Sequence, residues 1–281
     1  MTGAGAPLLA LDGDSFAHRA FHGVPRSVRR ANGRPGNLLQ GLVSMVARLC
    51  QAERPRAVVV GWDTLGVPTY RHALLPGYQA AREFDPELVE QLDLAPALLQ
   101  AAGIVCVKQP GFEADDVLAA AVASERARGG ACLVATSDRD AFQLAAADVT
   151  ILSPKRGVSE LDRIGPAEVM ARYGVRPEQV PDFIALRGDP SDRIPGARGV
   201  GEKGAAALLA GGRTLEGLLA EGRFAAEADA LRVYHRVATL DCAMALPELP
   251  DRVPDWRAGA GAAEALGLGR LALTLEALAR S

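Results

Sequence analysis

The chain has 281 residues, of which 49% are hydrophobic, and a formal net charge of −3 at pH 7. This length and composition suffice for one large domain, or for one domain with an appended subdomain, and exclude a mainly disordered chain. No run approaches the ~20 apolar residues of a membrane span, and the first residues lack the features of a signal peptide, so we expect a cytoplasmic protein without a membrane partner.

Apolar runs and helix-length segments alternate through the first half of the chain. Five runs have the character of strands: 7–12, 56–63, 104–108, 131–138 and 148–153. Helix-length segments lie at about 37–53, 86–102, 114–128 and 139–146. This alternation predicts an α/β fold with a mostly parallel central sheet and helices on both faces. Function is expected at the carboxyl ends of the strands, where Asp12, Asp63 and Asp138 lie.

The second half contains no strand candidate after about residue 165. Short helical segments, broken by glycine and proline, are predicted at about 166–173, 177–187, 202–210, 214–221, 224–238 and 263–279. We therefore expect an α/β core over residues 1–165 and a helical portion over residues 166–281.

Positive charge is concentrated near the start of the sequence. Residues 17–36 contain five arginines and no acidic residue. The net charge alone does not indicate nucleic-acid binding, but such a patch can hold phosphates in a chain that is mildly acidic overall.

Acidic residues gather at the predicted ends of strands and helices: Asp12, Asp63, Glu113, Asp115, Asp116, Asp138, Asp140, Asp189 and Asp192. Each alone has a structural explanation, because such acids cap helices, form turns or favour the first helical turn. The stretch 113–116 is harder to explain in this way, since capping uses one carboxylate or two. Convergence of all nine at one sheet edge would cost on the order of several kcal/mol without cations.

The residue types in these motifs indicate hard divalent cations. Mg²⁺ and Mn²⁺ prefer oxygen ligands and keep several waters, so many carboxylates can serve two ions. Histidine and cysteine are absent from the motifs, which argues against zinc. A pair of such ions suits phosphoryl transfer, because one activates water and the other stabilises the leaving oxygen.

The stretch PGARGVGEKGAAALL, residues 195–209, is a second informative motif. Its glycines leave the backbone accessible before a predicted helix, where free amide groups can bind a phosphate oxygen. A P-loop is excluded, because Lys203 is followed by Gly204 instead of serine or threonine. An ordinary interhelical turn remains an alternative, although Gly-Val-Gly-Glu-Lys looks more like a helix–hairpin–helix turn that holds a DNA duplex.

Six sequence blocks, in this order, resemble the 5′-nuclease family, which includes the 5′→3′ exonuclease domain of bacterial DNA polymerase I and stand-alone bacterial flap endonucleases. They are LLALDGDSFAHRAFHG, GWDTLGVPTYRHALLPGYQAAR, PGFEADDVLA, ATSDRDAFQL, LRGDPSDRIPGARGVGEKGAAALL and LGLGRLALTLEAL. The resemblance covers nearly the whole chain. It implies a PIN-like core, a helical arch at about 70–95 and a helix–three-turn–helix at about 183–210. The implied activity is structure-specific, two-metal hydrolysis of DNA at 5′ ends and 5′ flaps, in replication or repair.

The resemblance also implies roles for the acidic residues. The ligands of a first Mg²⁺ or Mn²⁺ ion would be Asp12, Asp63, Glu113 and Asp115. Those of a second would be Asp138, Asp140 and Asp192. Asp116 and Asp189 match further acids of the site that act through water, and a third ion is an open alternative.

Basic, aromatic and glycine residues are matched in the same way. Arg19 and Arg71 match basic residues near the active site, Tyr78 an aromatic that stacks on a nucleotide, and Arg82 a basic residue of the arch. In the helix–three-turn–helix, backbone carbonyls hold a K⁺ that bridges to a duplex phosphate. The matching residues are Gly196, Gly199, Val200, Gly201 and Lys203.

The sequence departs from the family pattern at a position next to the expected site. Gln79 stands where the family usually has a lysine that helps to neutralise the scissile phosphate, and loss of such a charge can cost a few kcal/mol. His18, Arg193 and Gly204 are further departures. We expect an active enzyme, slower than is typical, in which Arg82 or a nearby arginine partly replaces the lysine.

Two other functions remain open from the sequence. One is a non-catalytic DNA-binding protein on the same scaffold, motivated by Gln79; the complete acid set argues against it, because a pure binder gains nothing from negative charges facing a phosphate. The other is a related ribonuclease, since the sequence shows no residue that discriminates a 2′-hydroxyl. The expected partner is DNA with a 5′ flap, a nick or a 5′-ended duplex, bound by a monomer.

Overall fold

The computed structural model describes residues 5–80, 83–156 and 158–280. The six strands are β1 (Leu8–Asp12), β2 (Ala57–Trp62), β3 (Val105–Lys108), β4 (Cys132–Ala135), β5 (Val149–Arg156) and β6 (Glu160–Ile164). The helices of the first half are α1 (Gly13–Gly23), α2 (Asn37–Glu53), α3 (Tyr70–Leu74), α4 (Pro86–Ala101) and α5 (Ala114–Ala127). Those of the second half are α6 (Pro166–Tyr173), α7 (Val180–Arg187), α8 (Glu202–Leu209), α9 (Leu215–Ala220), α10 (Ala228–Ala238), α11 (Trp256–Ala265) and α12 (Gly269–Leu278).

The strands form one sheet in the order β3-β2-β1-β4-β5-β6. All neighbouring strands are parallel except β5 and β6, which form an antiparallel hairpin. The chain moves outward from β1 in one direction to β2 and β3, and in the other direction to β4 and β5. This reversal creates a crevice beyond the carboxyl ends of β1, β2 and β4, which is where α/β sheets bind ligands.

Both faces of the sheet are buried, as the continuous apolar strands predict. Leu8 and Ala10 of β1 pack into one core with α5 and α7, whereas Leu9 and Leu11 pack into the other with α1, α2 and α4. Successive strand residues point to opposite faces, so a strand buried on both sides must be apolar at every position. The predicted sheet with helices on both faces is confirmed.

The last two helices return to the first half of the chain. Helix α11 packs against α4, and α12 packs against α2, while Leu268, Leu271 and Leu275 enter the same core as Leu9 of β1. The division at residue 165 and the arch at about 70–95 stay predictions. Among the described residues, no helix is both long enough and apolar enough to cross a membrane.

Several elements differ from the sequence expectations. Helix α1 and strand β6 were not expected, and the segment 139–146 forms only a short 3₁₀ helix, Asp140–Leu144. The expected helix 263–279 is interrupted between α11 and α12 at Gly267, whose φ is +75°. A β-carbon at this glycine would lie 2.4 Å from the backbone nitrogen of Ala31. The tight approach of two chain segments therefore requires a glycine there and ends α11.

Candidate metal centre

Strands β1 and β2 place the first acidic residues at the crevice. Asp12 is the N-cap of α1, where its Oδ1 accepts a hydrogen bond from the amide of Ser15 at 2.9 Å. Its Oδ2 accepts one from Thr136 Oγ1 at 2.8 Å. Asp63 follows β2, and its Oδ1 accepts a hydrogen bond from the amide of Ala114 at 2.7 Å, which connects β2 to the start of α5. These bonds orient two carboxylates from neighbouring strands towards the same crevice.

The N-terminus of α5 supplies the central acidic turn. Glu113 is the N-cap, and its backbone amide donates to Asp116 Oδ2 at 3.0 Å in a capping box. Asp115 lies between them, and its Oδ1 is buried with no hydrogen-bond donor within the part of the chain that the structure describes. A buried carboxylate oxygen without a partner is costly, which makes Asp115 the exceptional member of this turn.

The turn after β4 adds two more carboxylates. The amide of Asp138 donates to Thr136 Oγ1 at 3.0 Å, and Asp138 Oδ1 accepts from the amide of Asp140 at 2.9 Å. Because Thr136 also donates to Asp12, one hydroxyl fixes the ends of β1 and β4 relative to each other.

The loop between α7 and α8 brings the last acids from the second half of the chain. Asp189 accepts hydrogen bonds from the Ser191 amide at 2.8 Å and from Arg187 Nη2 at 3.0 Å. Asp192 accepts from Gln79 Nε2 at 2.9 Å and from the Tyr78 hydroxyl at 3.3 Å. The acids therefore come from both halves of the sequence, as predicted.

The carboxylates are close enough to oppose one another's ionisation. Burial, with the charges of Asp63 and Asp138, raises the pKa of Asp12 to about 7. Burial likewise raises the pKa of Asp115 well above its usual value, with Asp138 and Asp12 as the strongest neighbouring charges.

The same effect extends to the edges of the cluster. Burial raises the pKa of Glu113 to about 7, although Arg71 opposes the shift. The pKa of Asp140 is raised well above its usual value by burial and then by Asp138 and Asp192. Desolvated carboxylates with mutually raised pKa values are a common signature of a functional site.

The donor set fits hard divalent cations. The cluster presents carboxylate oxygens, and the buried Oδ1 of Asp115 has no donor among the described residues. A cation would offset both the desolvation and the mutual repulsion that raise the pKa values. Within residues 5–80, 83–156 and 158–280, no three acidic, histidine or cysteine side chains are already gathered around one point as ready ligands. Instead Asp12, Asp63 and Asp138 face backbone or hydroxyl donors, so metal binding would require side-chain rotations within the cluster.

Asp116 occupies a different environment from the other acids. It is fully buried, and its two oxygens accept hydrogen bonds from Arg71 Nη1 and Nη2, both at 2.7 Å. The Asp241 amide donates to Asp116 Oδ1 as well, at 2.9 Å. Both arms of the buried Arg71 guanidinium hold this carboxylate, so an approach to a cation, direct or through water, would break a buried ion pair. This geometry argues against the prediction of Asp116 as an acid of the metal site.

Arg71 is buried in contact with the acidic turn at Glu113 and Asp116. Its Nη1 lies 3.3 Å from Glu113 Oε2, and its Nε donates to the carbonyl of Val237 in α10 at 3.0 Å. Burial opposes the charge, but Asp116 and Glu113 outweigh it and hold the Arg71 pKa above its usual value. Arg71 is thus next to the cluster, where its charge is paired with Glu113 and Asp116.

Tyr78 and Gln79 close one side of the cluster. The Tyr78 side chain is 3% exposed, and its hydroxyl donates to Glu113 Oε2 at 3.0 Å. Gln79 adopts a left-handed backbone conformation, φ +46°, and its Nε2 lies 2.9 Å from both the Tyr78 hydroxyl and Asp192 Oδ1. The ring of Tyr78 is therefore covered in this structure, and stacking on a nucleotide would require it to leave this position.

A cavity of about 1380 Å³ opens onto the cluster. Its acidic end is lined by Asp12, Asp14, Asp63, Glu113, Asp115 and Asp138. Arg19 lies beside them, with Nη2 donating to Ser137 Oγ at 2.9 Å and a buried Nε that has no partner among the described residues. Arg19 thus lies beside the acidic end of the cavity, whereas Arg82 lies outside the described residues.

The predicted glycine turn connects α7 to α8. Gly196 and Gly199 both have φ of +77°, and a β-carbon on Gly196 would lie 2.5 Å from the Gly188 amide nitrogen. Gly201 is the N-cap of α8, and Lys203 is exposed in the first turn of that helix. Val200 packs partly buried against the core, whereas Gly199 and Gly201 are exposed. The amides of Ala197 and Arg198 donate to the Leu186 carbonyl and to Glu227, so they are engaged within the protein.

Asp14 is a site residue that sequence reasoning missed. Its Oδ2 accepts a hydrogen bond from the Asp63 amide at 2.7 Å, and it lines the acidic end of the cavity. Burial, with the charge of Asp63, raises its pKa well above the usual value. The sequence feature that could have identified Asp14 is its position two residues after Asp12, which ends β1, in Leu-Asp-Gly-Asp.

The raised pKa values predict that stability falls as pH rises. Unfolded Asp12 and Glu113 ionise near 3.8 and 4.5, whereas their folded pKa values are about 7. Because the folded protein binds more protons in this interval, the free energy of unfolding should decrease from about pH 4 to about pH 7 and then level off.

Urea unfolding of the metal-free protein at several pH values measures this effect. Asp12→Asn should flatten the profile relative to the wild type, which separates the contribution of the cluster from that of other groups. Identical profiles for the two proteins would show that Asp12 ionises normally in the folded state.

The chain is similar to known proteins in sequence and in fold. The profile described as 5'-3' exonuclease, N-terminal resolvase-like domain, matches residues 7–174, and the one described as 5'-3' exonuclease, C-terminal SAM fold, matches residues 175–255. A 5'-3' exonuclease of Streptomyces coelicolor is 35% identical over 304 residues, covering 96% of this chain and all of that protein. DNA polymerase I of Mycobacterium tuberculosis is 43% identical over 205 residues, 72% of this chain but only 23% of the polymerase.

Solved structures show the same fold at low identity. The bacteriophage T5 flap endonuclease in complex with DNA and metal ions has a TM-score of 0.71 at 18% identity, covering 98% of this chain and all of that one. The T5 5'-exonuclease with bound zinc ions has a TM-score of 0.69 at 18% identity, covering 97% of this chain and 99% of that one.

Proposed function

Because the chain belongs to the 5′-3′ exonuclease family, we propose that its acidic cluster hydrolyses DNA phosphodiesters at 5′ ends and 5′ flaps with two divalent cations. The enzyme class, a metal-dependent nuclease, follows from the family. The substrate structure, the identity of the ions and the role of each residue are the proposal.

One observation carries the assignment of the site. The switch point of the sheet holds a set of desolvated carboxylates, and the most central of them, Asp115, has a buried oxygen without any donor among the described residues. In a carboxylate that only caps a helix, both buried oxygens would accept hydrogen bonds. An oxygen without a donor is instead free to bind a cation.

The ligands of the two ions lie in two parts of the cluster. Those of a first Mg²⁺ or Mn²⁺ ion are Asp12, Asp63, Glu113 and Asp115, with Asp14 beside them. Those of a second ion are Asp138, Asp140 and Asp192, with Asp189 acting through water. When bound, such ions activate water and stabilise a leaving oxygen. Asp116 serves instead to hold Arg71 against Glu113.

The remaining residues orient the substrate. Arg19, with an unpartnered Nε at the edge of the cluster, would donate to the scissile phosphate. Tyr78 would exchange its hydrogen bonds with Glu113 and Asp192 for contact with a nucleotide once cations engage those carboxylates. Arg82 would contribute charge from the arch.

The turn between α7 and α8 would hold the duplex. Its exposed residues Gly199 and Gly201, with Lys203 beside them, suit a K⁺-bridged contact to a phosphate, which would position DNA without reading its sequence. We propose that the protein acts as a monomer in the bacterial cytoplasm, at the nucleoid, in replication or repair. This setting is supported by the bacterial relatives.

A single assay tests the proposed function. The protein is incubated with a labelled 5′-flap DNA and with an RNA:DNA duplex, with and without Mg²⁺. We expect Mg²⁺-dependent cleavage of the flap DNA. Binding without cleavage would identify a non-catalytic DNA-binding protein, and preferred cleavage of the RNA strand would identify a ribonuclease.

Gln79 gives a prediction about rate. Lysine at this position would restore a positive charge beside Asp192 and the scissile phosphate, so Gln79→Lys should increase the single-turnover rate of flap cleavage by about one order of magnitude. Gln79→Met, of similar length but without charge or amide, is the matched control. No gain for the lysine variant would mean that charge at this position no longer limits the reaction.

A further inference from the structure

Two of the departures from the family pattern, Gln79 and Arg193, are neighbours in the structure. Gln79 Nε2 donates to Asp192 Oδ1 at 2.9 Å, across 113 positions of sequence. The backbone amide of Gln79 also donates to the carbonyl of Asp192, at 3.3 Å. Arg193 is the next residue, so its amide nitrogen is bonded to the carbonyl carbon that Gln79 holds. The arginine therefore begins beside the position where the lysine is missing.

The backbone at both positions is left-handed. The φ angles are +46° at Gln79 and +59° at Arg193, and these are two of the four described residues other than glycine with a positive φ. This conformation is unfavourable for a long side chain, and such strain is found mainly near functional sites. Backbone geometry thus gives no reason for an arginine at position 193, and a role of its side chain has to be found elsewhere.

The charge of Arg193 is not used within the protein. The residue is exposed, and its side chain forms no ion pair with any residue that the structure describes, although Asp189 and Asp192 belong to the same loop. By contrast, Arg187 at the start of this loop is partly buried and lies 3.0 Å from Asp189 Oδ2. The loop therefore contains one arginine that is paired and one that is available to an anion.

The residue before Arg193 lies between the two proposed sets of ligands. Burial raises the pKa of Glu113 and of Asp140, and the charge of Asp192 contributes to each shift. Gln79, which holds Asp192, lines the cavity that opens onto the cluster. A phosphate bound by both ions would thus lie close to the segment that carries Arg193.

We propose that Arg193 supplies the positive charge that Gln79 lacks, by donating to a non-bridging oxygen of the scissile phosphate. Its side chain is long, stays charged at every working pH and matches the geometry of a phosphate. Gln79 positions it by holding the loop at Asp192. This inference rests on the proposed function, since the acidic cluster defines where the scissile phosphate lies.

Single-turnover cleavage of 5′-flap DNA at saturating enzyme tests the role of the charge. Arg193→Gln should lower the rate by about 10–100-fold, whereas Arg193→Lys should retain most of it. Arg257→Gln, at an exposed position of α11, is the matched control and should change nothing. Because Arg193 has no ion pair in the described fold, Arg193→Gln should also keep the thermal stability of the wild type. A loss of rate accompanied by an equal loss of folded protein would overturn the proposal.

The same assay on Gln79→Lys shows whether the two positions serve one phosphate. Lysine should raise the rate about tenfold in the wild type and about 100-fold in Arg193→Gln, because two charges on one phosphate are not additive. The same gain in both backgrounds would show that Arg193 acts elsewhere.

A binding measurement makes the test independent of cleavage. Equilibrium affinity in Ca²⁺, with Mg²⁺ omitted, is compared for flap DNA and for the same DNA with an uncharged methylphosphonate at the scissile position. The wild type should lose several-fold more affinity on this change than Arg193→Gln does. An equal loss for both proteins would overturn the proposal and assign Arg193 at most to the duplex. If the wild type cleaves no flap DNA, the proposed function fails, while this comparison still decides whether Arg193 contacts that phosphate.

Discussion

Asp115→Asn is expected to lower the single-turnover rate of 5′-flap cleavage by at least about 10²–10³-fold while the protein stays folded. The amide keeps the shape of the side chain but removes one negative charge from the centre of the cluster. Since the pKa of Asp115 is raised by burial and by four neighbouring aspartates, its charge opposes folding when no cation is present. The variant should therefore be as stable as the wild type in EDTA, or more stable.

Thermal unfolding in EDTA and flap cleavage in Mg²⁺ are measured on the same preparations. Asp229→Asn, at a fully exposed position of α10, is the matched control and should change neither. A clear loss of stability for Asp115→Asn in EDTA would assign Asp115 to a structural cap.

Arg71→Met is expected to destabilise the protein by about 3–5 kcal/mol, because it leaves the buried charges of Asp116 and Glu113 without their partner. Arg71 is 1% exposed, and its guanidinium donates two 2.7 Å hydrogen bonds to Asp116, whose side chain has no exposed surface. Arg71 also connects the acidic turn to α10 through its hydrogen bond to the carbonyl of Val237. Its loss should therefore weaken the packing between α10 and the acidic turn.

Urea unfolding of Arg71→Met is compared with that of Arg26→Met. Arg26 forms an ion pair of 2.8 Å with Asp85, but its side chain is 54% exposed, and such pairs contribute little to stability. Similar unfolding free energies for the two variants would show that the Arg71–Asp116 pair is not energetically important.

Much of the fold and of the acidic site follows from local sequence patterns. Apolar runs that end in aspartate predict parallel strands with acids at one edge, and Asp12 and Asp63 lie at that edge. The acidic turn at 113–116 and the pair in the 189–192 loop were predicted to meet them, and the structure brings them together. These inferences succeed because the carboxyl ends of parallel strands must face the same crevice.

The rest depends on contacts between distant residues. No local pattern shows that Asp116 forms a buried ion pair with Arg71, 45 positions away. Nor does one show that Tyr78 is buried and hydrogen-bonded to Glu113 and Asp192. Asp14 carried no prediction, because neither helix α1 nor the hydrogen bond from the Asp63 amide to Asp14 is visible in the local sequence. Similarly, α12 lines the cavity beyond Arg19 only because the last helix returns to pack on α2.

Binding of Mn²⁺ to the wild-type protein and to Asp115→Asn, followed by electron paramagnetic resonance, tests most directly whether the acidic cluster is a divalent-metal site. We predict that the wild-type protein binds Mn²⁺ without DNA, that Mg²⁺ competes for the same sites, and that Asp115→Asn loses most of this binding. Equal binding by the two proteins, or no binding by the wild type, would contradict the assignment of these carboxylates as metal ligands.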